Sequence, residues 1–362
     1  MTESRKRRVA VVGLDHYHTT GWVESLELFA DELEIVAIYE SDETLRDGLA
    51  PRFYDPHLSA RLSDQYRSTP RFGDLDPLIA DARPDIALVT LPNVAAPAAI
   101  ERLARAGVHL LVDKPGAPNR ATAVQAFGIA EDAGVKVATG LIRRYGRGWQ
   151  YARQLCQEGR PGRLLATDAV FVTSSPFVRD PANHIFSHEL QGGGILLWLG
   201  IHDIDQLLWL TGERIVEIQA VSGHVNDAGI DVEDAMSLSF RYKSGAIGTM
   251  HCAYVLPRMM SEGYLALRGS NGSLSIQFDG SVRWIGPGNR EDPVREETLT
   301  PTYAQLPGYG SMAPAVIRDL IRSIDEDRQP LANGNAVIAA LGVIDAAYEA
   351  AETGKRVRVD WS

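Results

Sequence analysis

Val9-Ala-Val-Val-Gly13 runs straight into Leu14-Asp15-His16-Tyr17-His18, and the fold is decided there. A continuous apolar run without polar alternation suits a parallel strand covered on both faces. Residues 21–31 then carry apolar positions at helical spacing, and Glu34-Ile-Val-Ala-Ile-Tyr39 is a second strand. Residues 85–90 and 108–112 continue the series, with a helix over 96–106 between them, and a shorter strand at 135–138 follows a helix over 121–133. Strands alternating with helices predict an α/β domain with a right-handed, doubly wound parallel sheet of the Rossmann kind over residues 1–140.

The rhythm changes after about residue 140. Helices at 151–158 and 194–210 precede strand-like runs at 217–222, 235–241, 246–254, 264–268, 273–278 and 282–285. Turn signals such as Lys243-Ser-Gly245, Ser270-Asn-Gly272 and Asp279-Gly280 separate them. Residues 141–312 therefore read as an α+β domain with a large, mostly antiparallel open sheet. Two helices, over 313–327 and 335–353, close the chain within a last unit, 313–362.

The 362 residues are 45% apolar and 23% charged, which suits a globular chain of two or three domains. Thirty-six Lys+Arg against 47 Asp+Glu give a net charge of −11, a field that repels nucleic acid and anionic membrane. Two cysteines, Cys156 and Cys252, exclude a disulfide framework and fit a reduced cytoplasm. Arg5-Lys-Arg-Arg8 precedes only the short apolar run Val9–Leu14, too brief for a signal peptide. No stretch nears the roughly 18 apolar residues that span a bilayer.

The turn after the first strand holds Gly13, where a dinucleotide fingerprint would place glycines at positions 13, 15 and 18. Gly13 still allows the tight turn, and backbone amides at the following helix N-terminus hold a pyrophosphate, with Asp15 pointing away from it. Glu40 ends the second strand where an acid bonds the adenosine ribose hydroxyls and repels a 2′-phosphate, which favours NAD over NADP. Thr90-Leu91-Pro92-Asn93 and Asp113-Lys114-Pro115 end two further strands, at the edge where open α/β sheets bind ligands. Lys114 is aimed into that cleft, and strand alternation turns Asp113 the opposite way. A lysine ammonium there stabilises the alkoxide that forms as hydride leaves a carbinol.

Gly192-Gly-Gly194 opens a helix on which Trp198, His202 and Asp205 share one face, extended by Trp209. A histidine sharing a face with a carboxylate behind a glycine entrance suits acid–base work, with Asp205 orienting it. His202, Asp203 and Asp205 on one turn have poor geometry for a metal, and none is expected.

Together these motifs resemble the Gfo/Idh/MocA family (glucose-fructose oxidoreductase, inositol dehydrogenase, rhizopine catabolism). Asp113-Lys114-Pro115 is similar to its Glu-Lys-Pro motif, and Thr90-Leu-Pro-Asn93 to its Ala-Thr-Pro-Asn region. Leu141-Ile-Arg143-Arg144-Tyr145 is similar to the stretch after its nucleotide domain, and Gly192 to Asp205 to its Gly-Gly-Gly-x₃-Asp-x-Gly-x-His-x-x-Asp helix. The ending from Gly342 to Lys355 is similar too, so the resemblance covers nearly the whole chain.

The resemblance implies a nicotinamide-dependent oxidoreductase acting on a carbinol of a sugar, sugar derivative or cyclitol. NAD would lie against Gly13, Leu14, Asp15, His16, Glu40, Leu91, Pro92, Asn93, Asp113, Lys114, Pro115 and Arg143. His202 would shuttle the hydroxyl proton with Lys114 assisting, while Arg144, Asp205, His184, His188 and Arg179 would face the substrate. The C-terminal helices would return to the nucleotide domain, and the open sheet would build a homodimer or homotetramer.

Three departures stand out. Asp15 and His18 occupy glycine positions, no histidine follows Pro92-Asn93, and Trp198 stands at the family's catalytic aspartate. An indole carries no acid or base, so Trp198 is expected to offer a stacking floor to a sugar ring. The departures also leave open an NAD-binding sensor without catalysis, and an NAD-dependent glycoside-cleaving enzyme with no net redox.

Overall fold

The computed structural model describes residues 5–47, 67–178, 181, 183–288, 296–302 and 311–362. Its first sheet holds β1 (Arg7–Val12), β2 (Leu33–Tyr39), β3 (Arg71–Phe72), β4 (Ile86–Val89), β5 (His109–Val112) and β6 (Val137–Thr139). All are parallel, in the order β3-β2-β1-β4-β5-β6. The strands read as continuous apolar runs because helices cover both faces: α1 (Thr19–Glu27) on one, α2 (Ala96–Arg105) and α3 (Arg120–Asp132) on the other. The order reverses between β1 and β4, which opens a crevice beyond the carboxyl ends of the strands. Only β3 lacks a sequence signal, since two residues cannot display a period.

After α4 (Arg147–Gln157) comes β7 (Leu164–Ser174), the long central strand of the second sheet, which the sequence analysis missed. Its buried positions alternate from Thr167 to Thr173, but those two residues are polar, which blurs the hydrophobic pattern. The remaining strands are β8 (Ile215–Gly223), β9 (Ala235–Tyr242), β10 (Ile247–Leu256), β11 (Ser261–Gly269), β12 (Gly272–Gln277), β13 (Val282–Ile285), β14 (Glu296–Leu299) and β15 (Val357–Arg358). The nine lie in the order β14-β13-β12-β11-β7-β10-β9-β8-β15, antiparallel except for β7 beside β10. One face is covered by helices. Along β9, Met236, Leu238, Phe240 and Tyr242 are buried, whereas Ser237, Ser239 and Arg241 face out.

A π-helical turn (Leu196–Gly200) leads into α5 (Ile201–Thr211), so the single helix expected over 194–210 begins with a widened turn. The three glycines before it serve close packing. A Cβ at Gly194 would sit 2.0 Å from the Glu233 carbonyl oxygen, and one at Gly193 would sit 2.2 Å from the Tyr348 hydroxyl. Glu233 then accepts from the Gly194 and Leu196 amides (2.7 and 3.1 Å) and from Tyr348 (2.9 Å), and so caps the entrance.

The last two helices tie the halves together. Ala313, Val316, Ile317, Leu320 and Ile321 of α6 (Ala313–Asp325) pack with Val9 and Val11 of β1 and Trp22 of α1. The buried face of α7 (Gly334–Thr353) lies against α3, α5 and β8. No helix among the described residues is long and apolar enough to cross a membrane.

Candidate active site

At the switch point, Gly13 adopts φ +101°, and a Cβ there would sit 2.9 Å from the Leu91 nitrogen. Only glycine lets β1 and β4 approach so closely. Glu40 is buried just past β2 and accepts from the amides of Leu14 (2.9 Å) and Asp42 (3.1 Å). Its carboxylate thus holds the turn, and further acceptor positions remain for ribose hydroxyls. The N-cap of α1, His18, makes no side-chain cap bond, and no acid stands in the first turn. An uncapped helix N-terminus at the crevice, a tight Gly13 turn and Glu40 are the parts a dinucleotide needs, and they fit it.

Leu91 and Pro92 are half-buried at the end of β4, and Asn93 is buried, donating its amide to the Gln191 carbonyl (3.3 Å). Pro115 is buried behind Lys114. Lys114 itself is 1% exposed: its ammonium donates to the Trp198 carbonyl in the π-helical turn and lies 3.6 Å from the centre of the Trp198 ring. The nucleotide half and the glycine-led helix meet at this contact.

Asp113 turns toward α1, opposite to Lys114, but at the sheet edge this brings it into the same cluster instead of away from the cleft. One of its oxygens accepts from Trp22 Nε1 (3.0 Å); the other faces His18 Nδ1 (2.9 Å) and His16 Nε2 (3.1 Å). Burial would raise this carboxyl, yet the His18 and His16 rings and Lys114 outweigh it and hold it well below the usual carboxylate range. The three donor atoms of His16, His18 and Asp113 lie within 4.8 Å of one another, close enough for a metal ion. The His18 amide, however, donates to His16 Nδ1 (3.0 Å), which keeps the ring proton on Nε2, the atom facing Asp113. That contact is a hydrogen bond.

The indole of Trp198 lies against both imidazoles, with ring centres 5.0 Å from His16 and 5.1 Å from His18. At 4% exposure it packs the cluster and is not an open floor for a sugar. His184 joins from the loop, its ring centre 5.5 Å from His16; burial pushes it down to about 4, against pulls from the Asp15 carbonyl and Asp113. His188 is exposed and stands outside the cluster; its amide donates to Asp231 (2.8 Å). Arg179 lies outside the described residues.

His202 is 6% exposed, and its Nδ1 is buried with no hydrogen-bond partner among the described residues. Burial, then Lys114 and Arg143, push its ring well below the usual histidine range. Asp205 does not orient it. Arg144 takes Asp205 in a forked pair, Nη2 to Oδ1 at 2.6 Å and Nε to both oxygens at 3.1 Å, and also donates to the Leu331 carbonyl (2.9 Å). Arg143 likewise binds Asp203. Both arginines, expected at the cofactor and the substrate, instead clamp α5 to the turn Ile142–Tyr145, because a guanidinium satisfies a buried carboxylate better than an imidazole does. His16 was expected to touch only cofactor and His18 was expected only as a lost glycine; the His-x-His spacing in the turn was the signal that the two point together.

A family model described as "Oxidoreductase family, NAD-binding Rossmann fold" matches residues 7–141, and one described as "GFO/IDH/MocA C-terminal domain" matches residues 149–275. Inositol 2-dehydrogenase of Rhizobium meliloti is 24% identical over 294 residues, covering 79% of this chain and 84% of the relative. The 2,7-anhydro-N-acetylneuraminate hydratase of Escherichia coli (strain K12) is 23% identical over 339 residues, covering 84% and 89%. Levoglucosan dehydrogenase, solved in complex with NADH, shares the fold with a TM-score of 0.82 at 17% identity, over 98% of this chain and all of that one. With both halves matched by models of one family, the chain belongs to the Gfo/Idh/MocA oxidoreductases, NAD(P)-dependent enzymes built on a nucleotide-binding Rossmann domain.

Proposed function

We propose that this enzyme is an NAD-preferring dehydrogenase, or in reverse a reductase, of a cyclitol, sugar or anhydrosugar carbinol, working in the cytoplasm. The observation that carries this reading is the meeting of Lys114 with the glycine-led helix, one turn before His202, beside a crevice fitted for a dinucleotide. The bound nicotinamide would supply a hydride acceptor. Glu40, at the strand end, would hold the ribose hydroxyls and turn away a 2′-phosphate. Lys114, held at the crevice by its bond to the Trp198 carbonyl, would hold the carbinol oxygen and stabilise charge on it. His202, kept neutral by burial among cations, would hydrogen-bond a substrate hydroxyl through its unpaired Nδ1. The outer face of the second sheet carries exposed Val221 and Ile247, opposite Ser237 and Arg241, and would pair subunits into a homodimer or homotetramer.

Calorimetry with NAD and NADP, followed by absorbance at 340 nm with myo-inositol, other polyols and 1,6-anhydroglucose, tests the reading. NAD should bind clearly tighter, one polyol class should reduce it, and Lys114→Ala should lower kcat by roughly 10²–10⁴-fold. Equal NADP binding would refute the preference, and no turnover of any carbinol would refute the reaction. The likeness to a hydratase favours a second reading, in which oxidation is transient and the cofactor is restored within one turnover. Product formed from an anhydrosugar under catalytic NAD, with no net rise at 340 nm, would select it.

A further inference from the structure

Three of the places where this chain leaves the family pattern, at His18, Asp113 and Trp198, meet at one point. His16 and His18 stand in the turn that should carry glycines, Asp113 replaces the glutamate before Lys114, and Trp198 replaces the catalytic aspartate. In space, one oxygen of Asp113 faces both imidazoles, and the Trp198 indole lies nearly parallel to the His18 ring, at 23°. The helix has lost a carboxylate, and the strand end supplies one through a histidine.

Resting on the reaction assigned above, we propose that His18 takes the carbinol proton, with Asp113 as its positioning residue and Trp198 fixing the plane of its ring. As the carbinol C–H bond breaks, hydrogen leaves with its electron pair as hydride to the nicotinamide. The O–H electrons become the second C–O bond, and the proton goes to His18 Nε2. Asp113 keeps its charge and its hydrogen bond to Nδ1–H throughout.

Three observations carry this. An ionised carboxylate only accepts, so at 2.9 Å from it Nδ1 of His18 holds the proton and Nε2 the lone pair, the arrangement by which a buried aspartate turns a histidine into a base. The His18 side chain is 15% exposed against 4% for His16, while His184 and His202 are 3% and 6% exposed as residues, so His18 is the most open of the four to solvent. A proton on His18 would sit against Asp113; one on His202 would face Lys114 and Arg143. Among the described residues, the titratable groups around His18 are Asp113 and Lys114 from the end of β5, His16 from its own turn with His184 behind it, and His202 from α5.

Nuclear magnetic resonance on the full chain labelled with ¹⁵N-histidine, without cofactor, tests the dyad. The signal lost in His18→Gln should show the Nδ1–H tautomer, and Asp113→Asn should lower its titration midpoint by one pH unit or more. A midpoint indifferent to Asp113→Asn would overturn the pairing. In the assay above, His18→Gln and His18→Asn should each lower kcat at least 10²-fold and abolish the acid limb of kcat/KM, with unfolding midpoints unchanged. Asp113→Asn should move that limb to lower pH. An active wild type with His18→Gln within threefold of it would sink this proposal alone, whereas a wild type that binds NAD and oxidises no carbinol would sink the reaction and the proposal together.

Discussion

Asp205→Asn should destabilise the protein by roughly 3–5 kcal/mol, the cost of breaking a buried ion pair from one side. Asp205 is 1% exposed and accepts three close contacts from Arg144, whose side chain is itself only 12% exposed. The amide preserves size and one acceptor, so what it removes is the charge that compensates a buried guanidinium. Removing both charges together, as in Arg144→Met with Asp205→Leu, should recover part of the loss, because no buried charge is then stranded and only the Leu331 carbonyl and the Gln206 amide lose a partner. At a urea slope of about 3 kcal/mol per molar, the single variant's midpoint should fall by roughly 1 M or more. If Asp205 instead served to orient His202, the asparagine would lower kcat and leave the unfolding midpoint in place. A midpoint within about 0.2 M of wild type would refute the ion-pair account.

Other outcomes follow from single contacts. Gly194→Ala, whose Cβ would meet the Glu233 backbone at 2.0 Å, should cost about 1–3 kcal/mol and loosen the entrance to α5, read by thermal unfolding. Unfolded His184 takes its proton near 6.5 but the folded ring only near 4, so stability should fall as pH drops through that window. The His184 share of the loss is (6.5 − 4) × 1.36, about 3 kcal/mol, and His184→Gln should reduce the loss by that share in urea titrations at pH 7 and pH 4, while buried His16 and His202 keep theirs. Glu40→Gln should narrow the gap between NAD and NADP affinities by about 1–2 kcal/mol in calorimetry; an unchanged gap would remove Glu40 from the ribose site.

The nucleotide half was legible because parallel strands buried on both faces carry an unbroken apolar signal, as Val9–Val12 and Ile86–Val89 do. Six strands of the second sheet were legible; β7 was not, because Thr167, Asp168 and Thr173 dilute its alternation, nor were the short edge strands β14 and β15, where four and two residues display too little of a period. Lys114 and the glycine-led helix were found from sequence and do converge. Which carboxylate serves which base was not legible: helical spacing put Asp205 beside His202, but only the fold reveals that Arg144 arrives from 61 residues away to claim it. The pairing of His18 with Asp113, 95 residues apart, is a long-range contact of the same kind. The widened turn at Leu196–Gly200 likewise has no composition of its own to mark it.

The measurement closest to the central claim is the fate of one hydrogen. Polyols and anhydrosugars deuterated at their carbinol carbons, incubated with the protein and NAD, should yield NADH heavier by one mass unit with deuterium at nicotinamide C4, and Lys114→Ala should slow the transfer by roughly 10²–10⁴-fold. Tight NAD binding with no deuterium reaching the cofactor from any carbinol, in free or protein-bound nucleotide, would contradict the account.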